Sequence, residues 1–143
     1  MNTTTRSRLL EDFKVPVKLT LSALWVSVMF CYIYGDYFGL WVPGTLKSMF
    51  DGQMGPLGRV TQSILLGTTG LMAIPAVMPF LSLLLKPSVN RPLNIALGFI
   101  YTLVMLATLP GAWLFYQALA AVEIVLQLLI VWYAWHWPRE TAA

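Results

Sequence analysis

Apolar residues fill long segments of the chain, and charged residues interrupt them at only a few points. Within residues 19–41 the only charge is Asp36, and residues 60–85 contain none. A third run, residues 93–137, contains only Glu123 among charged residues. A helix needs about 20 apolar residues to cross the hydrocarbon of a bilayer. The first two runs therefore predict one spanning helix each, and the third run predicts two.

The turn signal Pro110-Gly111 divides the third run. We therefore expect an all-α fold, an antiparallel four-helix transmembrane bundle over residues 16–137. Its predicted spans are residues 16–41, 58–85, 93–109 and 113–137, between an N-terminal segment at 1–15 and a tail at 138–143. The first apolar stretch exceeds the about 7–15 residues of a signal-peptide core, and no small-x-small cleavage pattern follows it. We expect this helix to be retained.

The connections between the spans differ in length. Residues 43–57 form the only long one, and Leu46, Met49 and Phe50 recur there at helical spacing, which predicts a short interfacial helix. Residues 86–92 predict a tight, basic loop. In the second span Pro75 and Pro79 predict a kink.

Basic residues are distributed unequally between the two predicted faces of the membrane. One face receives seven of them and the other receives only Lys47 and Arg59. The seven are Arg6, Arg8, Lys14, Lys18, Lys86, Arg91 and Arg139. Because positive loops stay in the cytoplasm, we expect a multi-pass protein of the cell membrane with both termini cytoplasmic.

Composition narrows the chemistry further. Hydrophobic residues make up 58% of the chain and charged residues 10%, against about 25% charged in ordinary soluble domains. Cys31 and His136 are the single cysteine and histidine, which excludes an intramolecular disulfide and bis-histidine haem within one chain. No metal-ligand spacing or catalytic grouping is present, so we expect no metal, no cofactor and no catalytic residues. The basic residues form no nucleic-acid-binding pattern.

Glu123 is the ionisable residue predicted to lie deepest in the membrane. It precedes His136 by 13 positions, or ~20 Å along a helix. Gln127 follows one turn later on the same face. Because a charge inside a bilayer is costly, both side chains should face protein or water. Two interpretations stay open, an interhelical clamp with a protonated Glu123 and a ligand or proton site. Candidate partners on other helices are Tyr32, Thr68, Thr69 and Tyr101.

Asp36 is predicted near the opposite interface, one turn after Tyr32. Its simplest role is a structural ion pair with Arg59 at the adjacent end of the second span. The alternative places Asp36 in the polar intramembrane site with Glu123. Gly35 and Gly39 have the GxxxG spacing that permits close helix approach.

Part of the first span carries a resemblance to a known group of proteins. The residues are Leu24-Trp25, Met29-Phe30, Tyr32-Ile33-Tyr34-Gly35-Asp36 and Pro43-Gly44. The segment resembles the first helix of an uncharacterised family of small bacterial four-helix integral membrane proteins, and the whole chain is loosely similar to DoxX-like proteins. DoxX-like proteins include quinone-associated redox subunits. The resemblance implies membrane location and a bundle architecture, and the chain lacks the cysteines and histidines of a redox centre.

Three functions remain compatible with these residues. The first is binding or transport of a small apolar or lipid-like molecule near Glu123. The second is a structural or accessory role within a larger membrane complex. The third, an enzyme acting on a quinone or lipid, is least favoured because catalytic groups are missing. Candidate partners are the lipid bilayer, such a ligand, another membrane subunit and a second copy of the chain.

Overall fold

The computed structural model describes residues 13–138, and within that range it is all-α. Its helices are α1 (Val17–Gly39), α2 (Thr45–Phe50), α3 (Gln62–Leu84), α4 (Pro87–Thr108) and α5 (Leu114–Trp135), with a 3₁₀ turn at Gly55–Leu57. The predicted all-α bundle class is confirmed. The terminal segments 1–12 and 139–143, which include Arg6, Arg8 and Arg139, lie outside the described residues.

Four of these helices, α1, α3, α4 and α5, are long and apolar enough to cross a membrane. They run antiparallel. Lys18 near the start of α1 contacts Leu83 near the end of α3, and Arg91 near the start of α4 contacts Ala134 near the end of α5. We call this the terminal end of the bundle. The other end, where α2 lies, we call the loop end.

The order of packing differs from the order along the chain. Helix α1 packs between α3 and α5, and α4 packs on the other side of α5. The backbones of the consecutive helices α3 and α4 lie farther apart, and side chains bridge them, since Tyr101 donates to the Leu71 carbonyl and Asn90 to the Ser82 carbonyl. The core comprises Leu21, Trp25, Val28, Met78, Tyr101, Ile130 and Ala134. Most of the remaining large apolar side chains are exposed on the outer helix faces, as lipid contact requires.

Among the glycines in residues 13–138, Gly98 of α4 is the one packed most tightly against a neighbouring helix, α5. A Cβ atom at this position would lie 2.6 Å from Val131 Cγ2 and 3.2 Å from the Gln127 carbonyl oxygen. The GxxxG pair, Gly35 and Gly39, does not lie at such a tight contact between helices. A Cβ at Gly35 would meet only the Tyr116 ring, at 3.9 Å, and one at Gly39 would meet nothing within 4 Å. The GxxxG spacing of these two glycines permits a close helix approach, but the structure does not use it for one.

Helix α4 begins at Pro87, whereas hydropathy placed its start at residue 93. Pro87 suits a first-turn position because no helical partner is lost with its N–H. The following polar residues are also tolerated, since Asn90 and Asn94 are fully buried and hydrogen-bonded. Helix α3 runs unbroken through Pro75 and Pro79.

A polar network joins three helices at the terminal end. Asn94 Oδ1 accepts from Trp25 Nε1 at 2.7 Å and from Ser82 Oγ at 3.4 Å. Asn94 Nδ2 donates to Asn90 Oδ1 at 2.7 Å, and Asn90 Nδ2 donates to the Ser82 carbonyl at 2.6 Å. Because each buried group finds a partner, the network can form in a low-dielectric interior without an uncompensated desolvation cost.

Two basic side chains cap the carboxyl ends of neighbouring helices. Lys18 Nζ donates to the Leu83 carbonyl at 3.1 Å. Arg91 donates to the carbonyls of Ala134 and Trp135 at 3.2 and 3.4 Å. The last carbonyls of a helix lack intrahelical partners and carry partial negative charge, so a cation there is favourable.

Candidate functional site

A polar contact crosses from α1 to α5 inside the bundle. Gln127 is fully buried, and its Nε2 donates to the Tyr32 hydroxyl at 3.0 Å. Glu123, one turn along α5, is 3% exposed. Both α5 side chains therefore point into the bundle, as their helical spacing predicts. Because Gln127 on the same face of α5 contacts Tyr32 of α1, we assign Glu123 to the α1–α5 seam.

Asp36 and Glu123 occupy the next layer of this seam. In an antiparallel pair, one turn toward the loop end leads from Tyr32 to Asp36 on α1 and from Gln127 to Glu123 on α5. One helical turn is about 5.4 Å, so the two carboxyl groups share a level one turn beyond the Tyr32–Gln127 contact. The layer therefore brings together the carboxyl groups of one residue from each helix.

A cavity of about 930 Å³ opens at the loop end beside this layer. Asp36 lines it, together with Gly35 and Gly39 from α1 and Tyr116 from α5. The remaining walls come from the α1–α3 connection, including α2, and from the first turns of α3. A volume of this size lies within the about 300–1,000 Å³ typical of small-molecule sites. Asp36 is exposed, whereas Glu123 is buried and does not line the cavity.

The glycines of α1 make room for the cavity. Gly35 and Gly39 lie on the face of α1 that borders it, and the absence of side chains leaves the space beyond Gly39 open. A larger residue at either position would project into the cavity. The GxxxG spacing thus shapes a cavity wall instead of a helix–helix seam.

Two buried oxygen atoms in the seam have no hydrogen-bond partner among residues 13–138. They are Glu123 Oε2 and Gln127 Oε1. A protonated Glu123 would carry the donor that Gln127 Oε1 lacks, since residues four apart face each other on a helix. The clamp interpretation explains the Gln127–Tyr32 contact, yet Glu123 itself makes no side-chain bond to another helix within the described range.

Other residues that the sequence analysis grouped with Glu123 lie elsewhere. The hydroxyls of Thr68 and Thr69 donate to carbonyls of their own helix. Tyr101 is buried against Trp25 and donates to the Leu71 carbonyl of α3. The structure thus brings together Tyr32, Gln127, Glu123 and Asp36 and leaves the threonines apart.

Arg59 does not pair with Asp36 in the structure. Its side chain is exposed, and its backbone forms an isolated bridge with Gln53 in the α2–α3 connection. It is not among the residues that line the cavity. Asp36 faces the cavity, so the expected structural ion pair is absent from the described residues.

The sequence analysis did not predict two features of the structure. The cavity wall formed by Met49, Gln53 and Met54 depends on how the long connection folds back over α1. At the terminal end, the hydrogen-bond network of Asn90 and Asn94 was not predicted, because Asn90 falls in the expected loop at residues 86–92 and only Asn94 in the expected span. A four-residue spacing of asparagines was the available signal, since it places two amides on one helix face.

Four apolar spanning helices around a buried polar seam define an integral, multi-pass membrane protein. The chain belongs to DUF6326, a family of unknown function, which matches residues 10–143. No curated protein and no solved structure matches the chain. Within residues 13–138, no group of three or more His, Cys, Asp or Glu side chains is placed to hold a metal ion.

Proposed function

We propose that this membrane protein binds a small amphiphilic molecule in the cavity at the loop end. The observation that carries the proposal is the cavity itself, about 930 Å³ in volume and bordered by the Asp36 carboxylate. Apolar walls with a few convergent polar groups are typical of small-molecule sites. The sequence placed this function at Glu123, and the cavity supports a site one step outward at Asp36, with Glu123 behind it.

The proposed topology determines on which side of the membrane the cavity opens. If the basic terminal end faces the cytoplasm of a cell membrane, the cavity opens toward the external side. Lys18, Lys86 and Arg91 lie at the terminal end, whereas Lys47 and Arg59 lie at the loop end. An externally facing cavity suits a protein that captures its ligand from the outer leaflet or from the external solution. The resemblance to DoxX-like proteins contributes only the bundle architecture to this proposal.

Photolabelling in phosphatidylcholine nanodiscs tests the proposal. The probe is a neutral decanol carrying a diazirine, and the labelled peptides are identified by mass spectrometry. We expect saturable labelling of the connection between α1 and α3, which contains Met49 and Met54. Competition by unlabelled decanol should reduce it, because specific sites saturate whereas lipid-facing surfaces do not.

Two matched variants separate cavity binding from general contact with lipid. Gly39→Leu should fill the cavity, since a side chain there meets open space. Gly70→Leu is the control, because Gly70 on α3 also has open space but lies outside the cavity lining. We expect saturable labelling to disappear in the first variant and persist in the second. Equal, unsaturable labelling of all three proteins would overturn the proposal and favour the accessory-subunit role.

A further inference from the structure

The walls of the cavity carry charge of one sign only. Asp36 is the single charged residue that lines it, and no lysine or arginine does so. Arg59, the nearest basic residue along the α2–α3 connection, is exposed and outside the lining. An ionised Asp36 within these walls therefore has no protein cation to neutralise it among residues 13–138. A carboxylate next to apolar surface is stabilised by a counter-charge much more than one in bulk water.

A second acid, Glu123, adds to the negative charge near the cavity. Glu123 shares the level of Asp36, and its Oε2 atom has no partner among the described residues. In every protonation state the pair carries a net charge of zero, minus one or minus two, and never a positive charge. An anionic ligand would be repelled or at best tolerated at this level, whereas a cation would be attracted.

The other walls accept an apolar cation. Tyr116 presents an aromatic ring beside Gly35, and aromatic rings attract ammonium groups through their negative faces. Met49 and Met54 add flexible, polarisable apolar surface. A strongly hydrated inorganic ion would gain little from such walls. A cationic group attached to hydrocarbon can use both the carboxylate and the apolar surface.

We propose that the ligand of this cavity is a hydrophobic monovalent cation, such as a quaternary or protonated alkylamine, whose charge is held by Asp36. This inference rests on the proposed function, because it names the class of molecule that the cavity binds. Asp36 supplies the ionic contact, Tyr116 contacts the ammonium methyl or methylene groups, and the methionine surface holds the alkyl chain.

Competition against the neutral diazirine probe tests the charge preference. Three competitors share a ten-carbon chain, namely decyltrimethylammonium, decanol and decanesulfonate, and neutral phosphatidylcholine nanodiscs limit differences in their surface attraction. For the wild-type protein we expect decyltrimethylammonium to displace the probe at a concentration about tenfold or more below that of decanol. Decanesulfonate should compete less well than decanol.

Variants then assign the preference to one carboxylate. Asp36→Asn should bring decyltrimethylammonium and decanol to similar potency, and Asp36→Glu should restore most of the difference. Asp51→Asn is the charge-matched control, because Asp51 is exposed at the loop end but does not line the cavity. This variant should keep the wild-type preference.

The two proposals fail in different ways. Saturable labelling of the cavity with equal potencies for the three competitors, or with a preference for decanesulfonate, overturns the cation inference and leaves ligand binding in place. Absence of saturable labelling overturns both. If Asp36→Asn does not fold, as judged by its thermal unfolding, the wild-type ranking of the competitors still decides the inference. A cation preference that Asp51→Asn also removes would show a general surface effect and would count against Asp36.

Discussion

The side chain of Asn94 connects three helices by hydrogen bonds. It accepts from Trp25 of α1 and Ser82 of α3, and it donates to Asn90 on its own helix. All of these groups are buried. In a buried position, a hydrogen bond adds little net stability. Losing one of its partners costs more free energy, because the other polar group is left unsatisfied. The residue therefore fixes how α1, α3 and α4 meet at the terminal end.

Replacing Asn94 by leucine should lower the stability of the bundle. The change keeps the side-chain volume similar but leaves Trp25 Nε1 without its acceptor, at a cost of about 1–3 kcal/mol. Unfolding in mixed micelles, titrated with a denaturing detergent, measures the difference. Thr69→Val is the control, since the Thr69 hydroxyl bonds only to the Leu65 carbonyl of its own helix.

A double-mutant cycle shows whether this loss arises from the network. Once Asn94→Leu has removed the acceptor, adding Trp25→Phe should lower the free energy of unfolding by less than Trp25→Phe does in the wild-type protein. Strictly additive effects of the two substitutions would contradict the role given to the Trp25–Asn94 hydrogen bond.

At the scale of helices, hydropathy located the four spans but not how they meet. Long uncharged runs identify α1, α3 and α5 because lipid contact leaves few alternatives for them. The start of α4 at Pro87 could not be predicted in this way, since Asn90, between two prolines, looks like a loop residue until its hydrogen-bond partner on α3 is known. Contacts between residues distant in sequence decide whether such polar residues lie in a helix or a loop. A single sequence does not show these contacts.

The candidate site could likewise be predicted only in part from the sequence. Glu123 and Gln127 share a face by spacing alone, so their burial follows from the cost of exposing them to lipid. The position of Asp36 in a cavity depends on the path of the 43–57 connection, for which helical periodicity offers no rule. The predicted Arg59 partner failed for the same reason. The sequence predicts which residues share a helix face, but it does not predict the path of the connection formed by residues 43–57.

The meeting of α4 and α5 at Gly98 should tolerate no side chain. Gly98→Ala would place a Cβ atom 2.6 Å from Val131 Cγ2 and 3.2 Å from the Gln127 carbonyl oxygen, which forces the helices apart. We expect a loss of about 1–3 kcal/mol of stability, typical of overpacking. Gly67→Ala is the control, since nothing lies within 4 Å of a Cβ at that position.

A second substitution tests whether the clash is the cause. Val131→Ala removes the nearer obstacle, so the Gly98→Ala/Val131→Ala protein should recover part of the lost stability. The thermal unfolding of the four proteins in nanodiscs measures this. A double variant that is less stable than either single variant would contradict the close contact described at this crossing.

For the whole molecule, orientation is the property that the basic residues predict. Lys18, Lys86 and Arg91 lie at the terminal end, and they belong to the group of seven that favours the cytoplasm. Two of them, Lys18 and Arg91, also bond helix carbonyls. Their positions therefore serve helix packing, and the same positions are the basis of the predicted orientation.

Cysteine labelling of intact cells measures this orientation. In a Cys31→Ala background, a membrane-impermeant maleimide should modify Gln53→Cys at the loop end from outside. It should modify Ser88→Cys at the terminal end only after the membrane is permeabilised. Both positions are exposed in the structure, so access depends on the side of the membrane. The opposite labelling pattern would invert the proposed topology and place the cavity on the cytoplasmic side.

The contact between Tyr32 and Gln127 joins positions 95 residues apart. A ribosome adds about 5–20 residues per second, so α1 enters the bilayer roughly 5–20 seconds before α5 is made. During that interval α1 and α3 can pair, but the polar face with Tyr32 and Asp36 has no partner from α5. A chain interrupted before α5 would keep this face open to lipid. An unfinished chain therefore differs from a complete one by an unpartnered tyrosine hydroxyl on the first helix.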